Sequence, residues 1–301
     1  MKKNLTFFAF SMMVLFAICV QTGCKDDTGG DPEPEKSIYE HLDAAKYSVI
    51  RAAVDRAGLE SMLSGGTFTF LAPTDDAFLL SDTDPSTLSD AEVTEFVKNH
   101  LITGKFETSQ LENGTYISSE AALGPDGEKL SLAVSTSAGS HRMNSAQINA
   151  SVACTNGMLH EMSDVVEPAN VYDHLLNNPN LETFKTAVSL EVATKNEFEA
   201  GGLFTLFAVH ENAMVAYLNS KNVSISRLAP ADRRALVNNG IINDKGYYYA
   251  ELPSGTVTTR GEDLEIDKSG DVKLNGSVKI LTRDVQCTNG VIHIINGTLT
   301  N

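Results

Sequence analysis

Residues 37–301 of this chain state one pattern twice, and that duplication limits the possible folds more than any other feature. Cys154-Thr155-Asn156-Gly157-Met158-Leu159-His160 returns 133 positions later as Cys287-Thr288-Asn289-Gly290-Val291-Ile292-His293. Ile38-Tyr39-Glu40-His41-Leu42 returns at the same offset as Val171-Tyr172-Asp173-His174-Leu175. Phe68-Thr69-Phe70-Leu71-Ala72 returns 136 positions on as Phe204-Thr205-Leu206-Phe207-Ala208. Three blocks in one order at nearly one offset mean two copies of a single domain. The period is far above the roughly 20–50 residues of a solenoid repeat. A copy of about 130 residues can bury a core and fold alone. Two versions of one surface suit binding and assembly better than a single catalytic centre.

Residues 1–23 read as a lipoprotein signal peptide. Lys2 and Lys3 give a positive start, and residues 5–20 are apolar apart from Thr6 and Ser11. That run is shorter than the roughly 20 residues a membrane-spanning helix needs. Gln21-Thr22-Gly23-Cys24 resembles a bacterial lipobox, with Gln21 where an aliphatic residue is usual. Cys24 is therefore the expected lipidation site. Residues 24–36 read as a flexible tether, since KDDTGGDPEPE offers no large apolar side chain. Lys25-Asp26-Asp27 resembles the acidic export signal of some Gram-negative surface lipoproteins; a plain solvated spacer is the alternative. The expected location is the cell envelope, as an outer-membrane lipoprotein exposed at the surface.

The chain carries a formal charge of −16, and loss of residues 1–23 removes two lysines and no acid, giving −18. Such a field repels nucleic acid and anionic lipid, so no nucleic-acid role is expected and membrane contact falls to the acyl chains. Of the four cysteines, Cys19 leaves with the signal, Cys24 takes the lipid, and Cys154 and Cys287 remain, one per copy. A disulfide within either copy is impossible, and both thiols read as small buried hydrophobes.

Within the first copy, Val49, Ile50, Ala53, Val54, Ala57 and Leu59 keep helical spacing across residues 48–63. Gly65-Gly66 breaks that helix, residues 67–72 suit a buried strand, and Pro73 ends it for want of an amide hydrogen. Thr74 can cap the next helix, with Asp75 and Asp76 at its positive end. Ser89 and Glu92 form a capping box for a further helix toward His100. In the second copy Pro230 takes the first helical position instead, and Asn239-Gly240 marks the stop. Residues 129–134, 146–152, 256–259 and 278–281 read as strands that lead to the turns Asn156-Gly157 and Asn289-Gly290. Helices early and strands late make an α+β domain.

Residues 67–78, containing TFLAPTDDAF, and residues 156–168, NGMLHEMSDVVEP, resemble the two hallmark blocks of the fasciclin domain. Pro73, Thr74, Asp75, Asn156, Gly157 and His160 are the motif residues of the first copy; Asn289, Gly290 and His293 are those of the second. The second copy lacks the Pro and Thr of the opening block, carrying Val209-His210-Glu211 there, and is the more divergent. The resemblance implies two tandem fasciclin-like domains, 37–168 and 169–301. Each is expected to be a β-sandwich or wedge of about seven strands with several helices. It also implies extracellular adhesion or ligand contact and no catalytic centre. Adhesive members use a Tyr-His pair for receptor contact; the matching places here are Asn99-His100 and Asn239-Gly240. Neither copy keeps the pair, so integrin-like recognition does not carry over, and His100 stands as one candidate contact.

Tyr247-Tyr248-Tyr249 is the other candidate ligand contact. On a strand, Tyr247 and Tyr249 would share one face and Tyr248 the other, with cross-strand packing as the plainer reading. His160 and His293 follow a cysteine by six residues in both copies, which invites a Cys-His catalytic or metal reading. No set of three or four convergent ligands accompanies either, so a sheet-locking role is the expectation. His41 and His174 read as packing or caps at helix starts. No nucleophile elbow, phosphate loop or HExxH is present, and no cofactor, metal or enzymatic activity is expected. The leading function is lipid-anchored adhesion or ligand binding to an extracellular protein or glycan. The alternative is an accessory subunit of an outer-membrane assembly, partnered by another envelope protein and engaged in polysaccharide capture. A hydrolase using Cys154 or His160 comes third. The junction at Pro168-Ala169-Asn170 is too short to be floppy yet shows no interface in the sequence.

Overall fold

The computed structural model describes residues 36–43 and 45–300, all within one compact unit. The signal peptide, Cys24 and all of the tether except Lys36 lie outside the described residues. The first copy runs α1 (Ile38–His41), α2 (Ser48–Ala57), α3 (Glu60–Gly65), β1 (Phe68–Pro73), α4 (Asp75–Leu80), α5 (Asp90–Asn99) and β2 (Leu101–Thr103). It continues with β3 (Tyr116–Ser118), β4 (Ser131–Ser137), β5 (Ser140–Met143), β6 (Ala146–Cys154) and β7 (Gly157–Met162). The second copy opens on α6 (Val171–Asn177), α7 (Glu182–Leu190), α8 (Val192–Ala200), β8 (Phe204–Val209), α9 (Glu211–Lys221), α10 (Pro230–Asn238) and β9 (Ile241–Asn243). It closes with β10 (Gly255–Val257), β11 (Leu264–Asp267), β12 (Lys273–Leu274), β13 (Val278–Cys287) and β14 (Gly290–Ile295).

The two seven-stranded sheets have the same topology: β2-β1-β7-β6-β5-β4-β3 in one, and β9-β8-β14-β13-β12-β11-β10 in the other. All pairings are antiparallel except β1 with β7 and β8 with β14. The parallel pairs put the two hallmark blocks side by side, with Phe68 opposite Gly157 and Phe204 opposite Gly290. Strand β1 is buried on both faces because alternate side chains serve different cores. Phe70 and Ala72 pack under the helices with Ile38, Ile50 and Val54, whereas Leu71 faces Leu132, Val134 and Met162.

The helical pattern over residues 48–63 resolves into two helices rather than one. Gly58 caps α2 in the left-handed conformation at φ +66, and the chain restarts at Glu60. Thr74 caps α4 and the Ser89–Glu92 capping box starts α5, as their chemistry predicts. His41 and His174 are each the fourth residue of a helix, α1 and α6, and His174 is buried there, in keeping with a packing role. Tyr247-Tyr248-Tyr249 lies on the loop after β9, not on a strand, so face alternation does not apply to it.

Candidate functional site

The hallmark side chains hold the fold together, and the two copies use them in closely similar ways. Asn156 accepts from the amide of Ile38 at 2.9 Å and donates to the carbonyls of Leu63 and Gly66 at 2.8 and 3.0 Å. Asn289 accepts from Val171 at 2.8 Å and donates to Phe198 at 2.8 Å. One turn amide therefore satisfies an orphan donor at the start of the first helix and carbonyls at or near the end of the last helix before the sheet. Asn156→Ala leaves three polar backbone groups without a partner. The expected loss is about 3 kcal/mol, read from urea denaturation.

His160 and His293 clamp the loop that follows the edge strand. His160 Nε2 lies 2.9 Å from the Phe106 carbonyl, and His293 Nε2 lies 3.0 Å from that of Tyr247. A carbonyl only accepts, so Nε2 carries the proton in both rings, and Nδ1 accepts from the Ser151 hydroxyl or the Asp284 amide. Burial holds both rings below the usual histidine range, chiefly by desolvating the charged form. Thr69 and Thr205 complete the clamp: each accepts the amide of the same loop residue, Phe106 or Tyr247, and donates to the carbonyl of Gly104 or Lys245. Sequence reasoning missed these threonines, although a repeated Thr inside an apolar strand was the available signal.

The opening block works by the same exchange of chemistry for geometry. Asp75 accepts from the Val49 amide and the Ser48 hydroxyl, which ties α4 to the start of α2. Glu211 does this in the second copy, accepting from the amide and hydroxyl of Thr183. His210 replaces Thr74 as the cap, its Nδ1 accepting from the Asn212 amide. Pro73 closes β1 beside Met162.

His100 is fully buried and presents no surface for a ligand to contact. Its Nδ1 donates to the Phe96 carbonyl and its Nε2 accepts the Val166 amide, and burial pushes its pKa down to about 4. Asn99 and Asn239 are also buried and donate to the carbonyls of Val166 and Leu299, so this position anchors the segment after the last strand. Neither cysteine is hydrogen-bonded to the histidine that follows it. The Cys154 thiol points at the Val152 carbonyl, is pushed up to about 11 by burial, and is free, as is Cys287. Among the described residues no group of three or more His, Cys, Asp or Glu could hold a metal ion.

The tyrosine loop contributes to a junction between the copies. Tyr248 donates its hydroxyl to the Pro125 carbonyl of the first copy, and burial first, then nearby acids, push its phenol up to about 12. Tyr249 packs on the second core and lies under the Arg283 guanidinium at 5.0 Å. Across the same junction Asn178 donates to the Tyr116 hydroxyl at 2.8 Å, and the backbone amide of Gln286 donates to the Ser131 hydroxyl at 3.0 Å. The Tyr116 ring meets His174 edge-on at 5.5 Å. The short Pro168-Ala169-Asn170 link thus joins two bodies that touch through polar contacts dispersed along both copies. Wild-type protein is expected to unfold in one calorimetric transition; the double variant Asn178→Ala, Tyr248→Phe is expected to split it into two.

A family model described as the Fasciclin domain matches residues 45–168 and again residues 179–301. The chain is 26% identical to human Periostin over 279 residues, covering 89% of this chain and 31% of that one. It is 25% identical to the Transforming growth factor-beta-induced protein ig-h3 of Sus scrofa over 279 residues, covering 88% of this chain and 40% of that one. This chain thus spans well under half the length of both relatives. Protein sll1483 of Synechocystis sp. is 35% identical over 129 residues, which is 40% of this chain and 67% of that protein. Among solved structures, a domain pair from the insect cell adhesion molecule Fasciclin I aligns with a TM-score of 0.53 at 16% identity. That alignment covers 88% of this chain and 96% of the other, and at such identity it speaks to the fold. With both hallmark blocks doing the same structural work in each copy, the chain belongs to the fasciclin family and consists largely of two tandem fasciclin domains.

Proposed function

We propose that this protein is a non-catalytic adhesion or ligand-binding protein, held at the outer face of the cell envelope by acyl chains on Cys24. The observation that carries the reading is the engagement of the duplicated polar side chains. Thr69, Asn156 and His160, with Thr205, Asn289 and His293, all bond backbone, so both copies preserve a scaffold rather than a reactive centre. Membership of the fasciclin family supports binding. The expected ligand is an extracellular protein or a glycan.

The binding reading is tested with residues 36–301 on an array of glycans and extracellular-matrix proteins. Saturable binding is the expected result; silence across the array sinks the adhesion reading and directs the search to envelope partners. The anchor is tested separately. Cys24→Ser is expected to abolish labelling by radioactive palmitate and move the protein from the detergent phase to the aqueous phase. Unchanged labelling and partition would remove the anchor from the proposal. Among the described residues no helix is long and apolar enough to cross a membrane.

A further inference from the structure

The first domain carries a groove with apolar walls and an acidic rim. Between α2 and the turn Pro85–Thr87 lies a hollow of about 590 Å³ lined by Val49, Ala52, Ala53 and Pro85. A second hollow of about 360 Å³ shares Val49 and Pro85 with it and reaches Phe78 and Leu79. A third, of about 370 Å³, runs past Leu80 to Val165 and is otherwise polar, with Asp82, Asp164 and Glu167 in its lining. Beside them Leu79 and Leu80 are 83% and 80% exposed, while the next most exposed large apolar side chain, Val192, reaches 62%. Adjacent exposed leucines beside apolar hollows make a contiguous apolar surface, the kind of feature that marks interaction sites.

The hollows open where a helix stops early. Exposure at the two leucine positions is shared with the second domain, where Val215 and Ala216 stand at the 136-residue offset and are exposed. Helix α4 ends at Leu80, and the chain turns away through Ser81 and Thr83, whose hydroxyls both donate to Glu167. In the second domain the equivalent helix, α9, continues to Lys221 and seats Leu218 in the core. At the 136-residue offset, Leu218 is the counterpart of Asp82, so one domain has a core leucine where the other has an exposed carboxylate.

The rim has one sign. Residues 57–97 hold eight acids and no lysine or arginine, with Asp76, Asp82 and Asp84 exposed at the groove or beside it. Arg56, the cation in the wall, is committed to Asp90 and to the carbonyls of Pro85 and Leu88. An occupant must therefore bring large apolar groups and positive charge together. The tether does not qualify, because residues 25–35 carry five acids and no large apolar residue. A second copy of this chain, at −16, brings the wrong sign. Anionic lipid headgroups are repelled for the same reason.

We propose that this groove docks a short polypeptide segment of a partner protein, in which Lys or Arg residues flank a pair of large apolar side chains. The assignment deepens the binding function proposed above and rests on it. Its test fails separately from the array, because it addresses this groove alone.

The test selects a random dodecapeptide phage library on the full chain purified in detergent, with counter-selection on the double variant Leu79→Ser, Leu80→Ser. Both leucines are exposed, so the variant is expected to keep the wild-type thermal midpoint. Enriched peptides are expected to carry Lys or Arg around paired apolar residues and to bind the leucine variant at least tenfold more weakly. Asp82→Asn with Asp84→Asn is expected to weaken the same peptides several-fold and to flatten their salt dependence. Enrichment of acidic peptides overturns the proposal, as does enrichment insensitive to the leucines or no enrichment at all. Two further results overturn it in favour of another occupant: leucine-dependent dimerisation of the wild-type chain in sedimentation, or leucine-dependent co-sedimentation with phosphatidylglycerol vesicles.

Discussion

Gly157→Ala is expected to unfold the first domain. Gly157 opens β7 at φ +148, a conformation that an L side chain rarely adopts, directly opposite Phe68 in the parallel ladder. A Cβ placed there would lie 1.7 Å from the Phe68 carbonyl oxygen. That oxygen belongs to backbone, and Phe68 also donates its amide to the Asn156 carbonyl at 3.1 Å, so β1 cannot withdraw without opening the ladder beside the hallmark turn. The expected loss exceeds about 4 kcal/mol, in the range reserved for core overpacking and backbone strain. Gly290→Ala is the internal control. Its Cβ would stand 2.5 Å from the Phe204 carbonyl oxygen, and its φ is not in the left-handed region, so a smaller loss is expected. Urea denaturation of the two variants measures the contrast; a Gly157→Ala protein with the wild-type midpoint would refute the argument.

Acid is expected to destabilise the protein well before its exposed carboxylates titrate. His100 and His174 are fully buried, and desolvation pushes both down to about 4 from an ordinary value near 6.5. Above about pH 6.5 both are neutral in the folded and unfolded states, and their full contribution to stability is present. As the pH falls from about 6.5 to about 4 the unfolded chain takes up protons that the folded chain refuses, so stability is lost across that window. Each ring can account for about 3 kcal/mol. His160 and His293 shift the same way and add to the loss. Asp173, whose carboxyl burial holds above its usual range, opposes it in part. His174 illustrates the cause: its Nε2 faces the Gln286 carbonyl at 3.3 Å, and its Nδ1 has no partner at the junction. A proton there would be a buried charge with no acceptor. Urea titrations at pH 7, 6, 5 and 4 should show the midpoint falling steadily, and a profile flat from pH 7 to 4 would contradict this account.

Much of the fold was legible because local chemistry set it. Thr74, Ser89 with Glu92, and Pro230 start helices where their capping chemistry predicts. The apolar strand before Pro73 is buried on both faces, and the Asn-Gly turns join β6 to β7 and β13 to β14. The helix over residues 48–63 was read as continuous because apolar spacing runs through Gly58, and spacing does not register a left-handed cap. The tyrosine loop was misplaced for a related reason. Three aromatic residues satisfy a strand pattern, yet the clamp by Thr205 and His293 holds Tyr247 by its backbone in a loop.

What the sequence determined alone was the duplication, the family and the chemistry of each cap, since these depend on residues close along the chain or repeated at one offset. The tertiary structure decided which polar side chains face inward. His100 looked like a contact residue and is an anchor, and Asn156 looked like a turn residue and joins segments 118 and 93 positions away. It also decided that Tyr248 meets Pro125, 123 positions distant, and that α4 stops at Leu80 beside open hollows where α9 runs on and buries Leu218. A side chain's local pattern states what it can bond, but burial and long-range register select the partner.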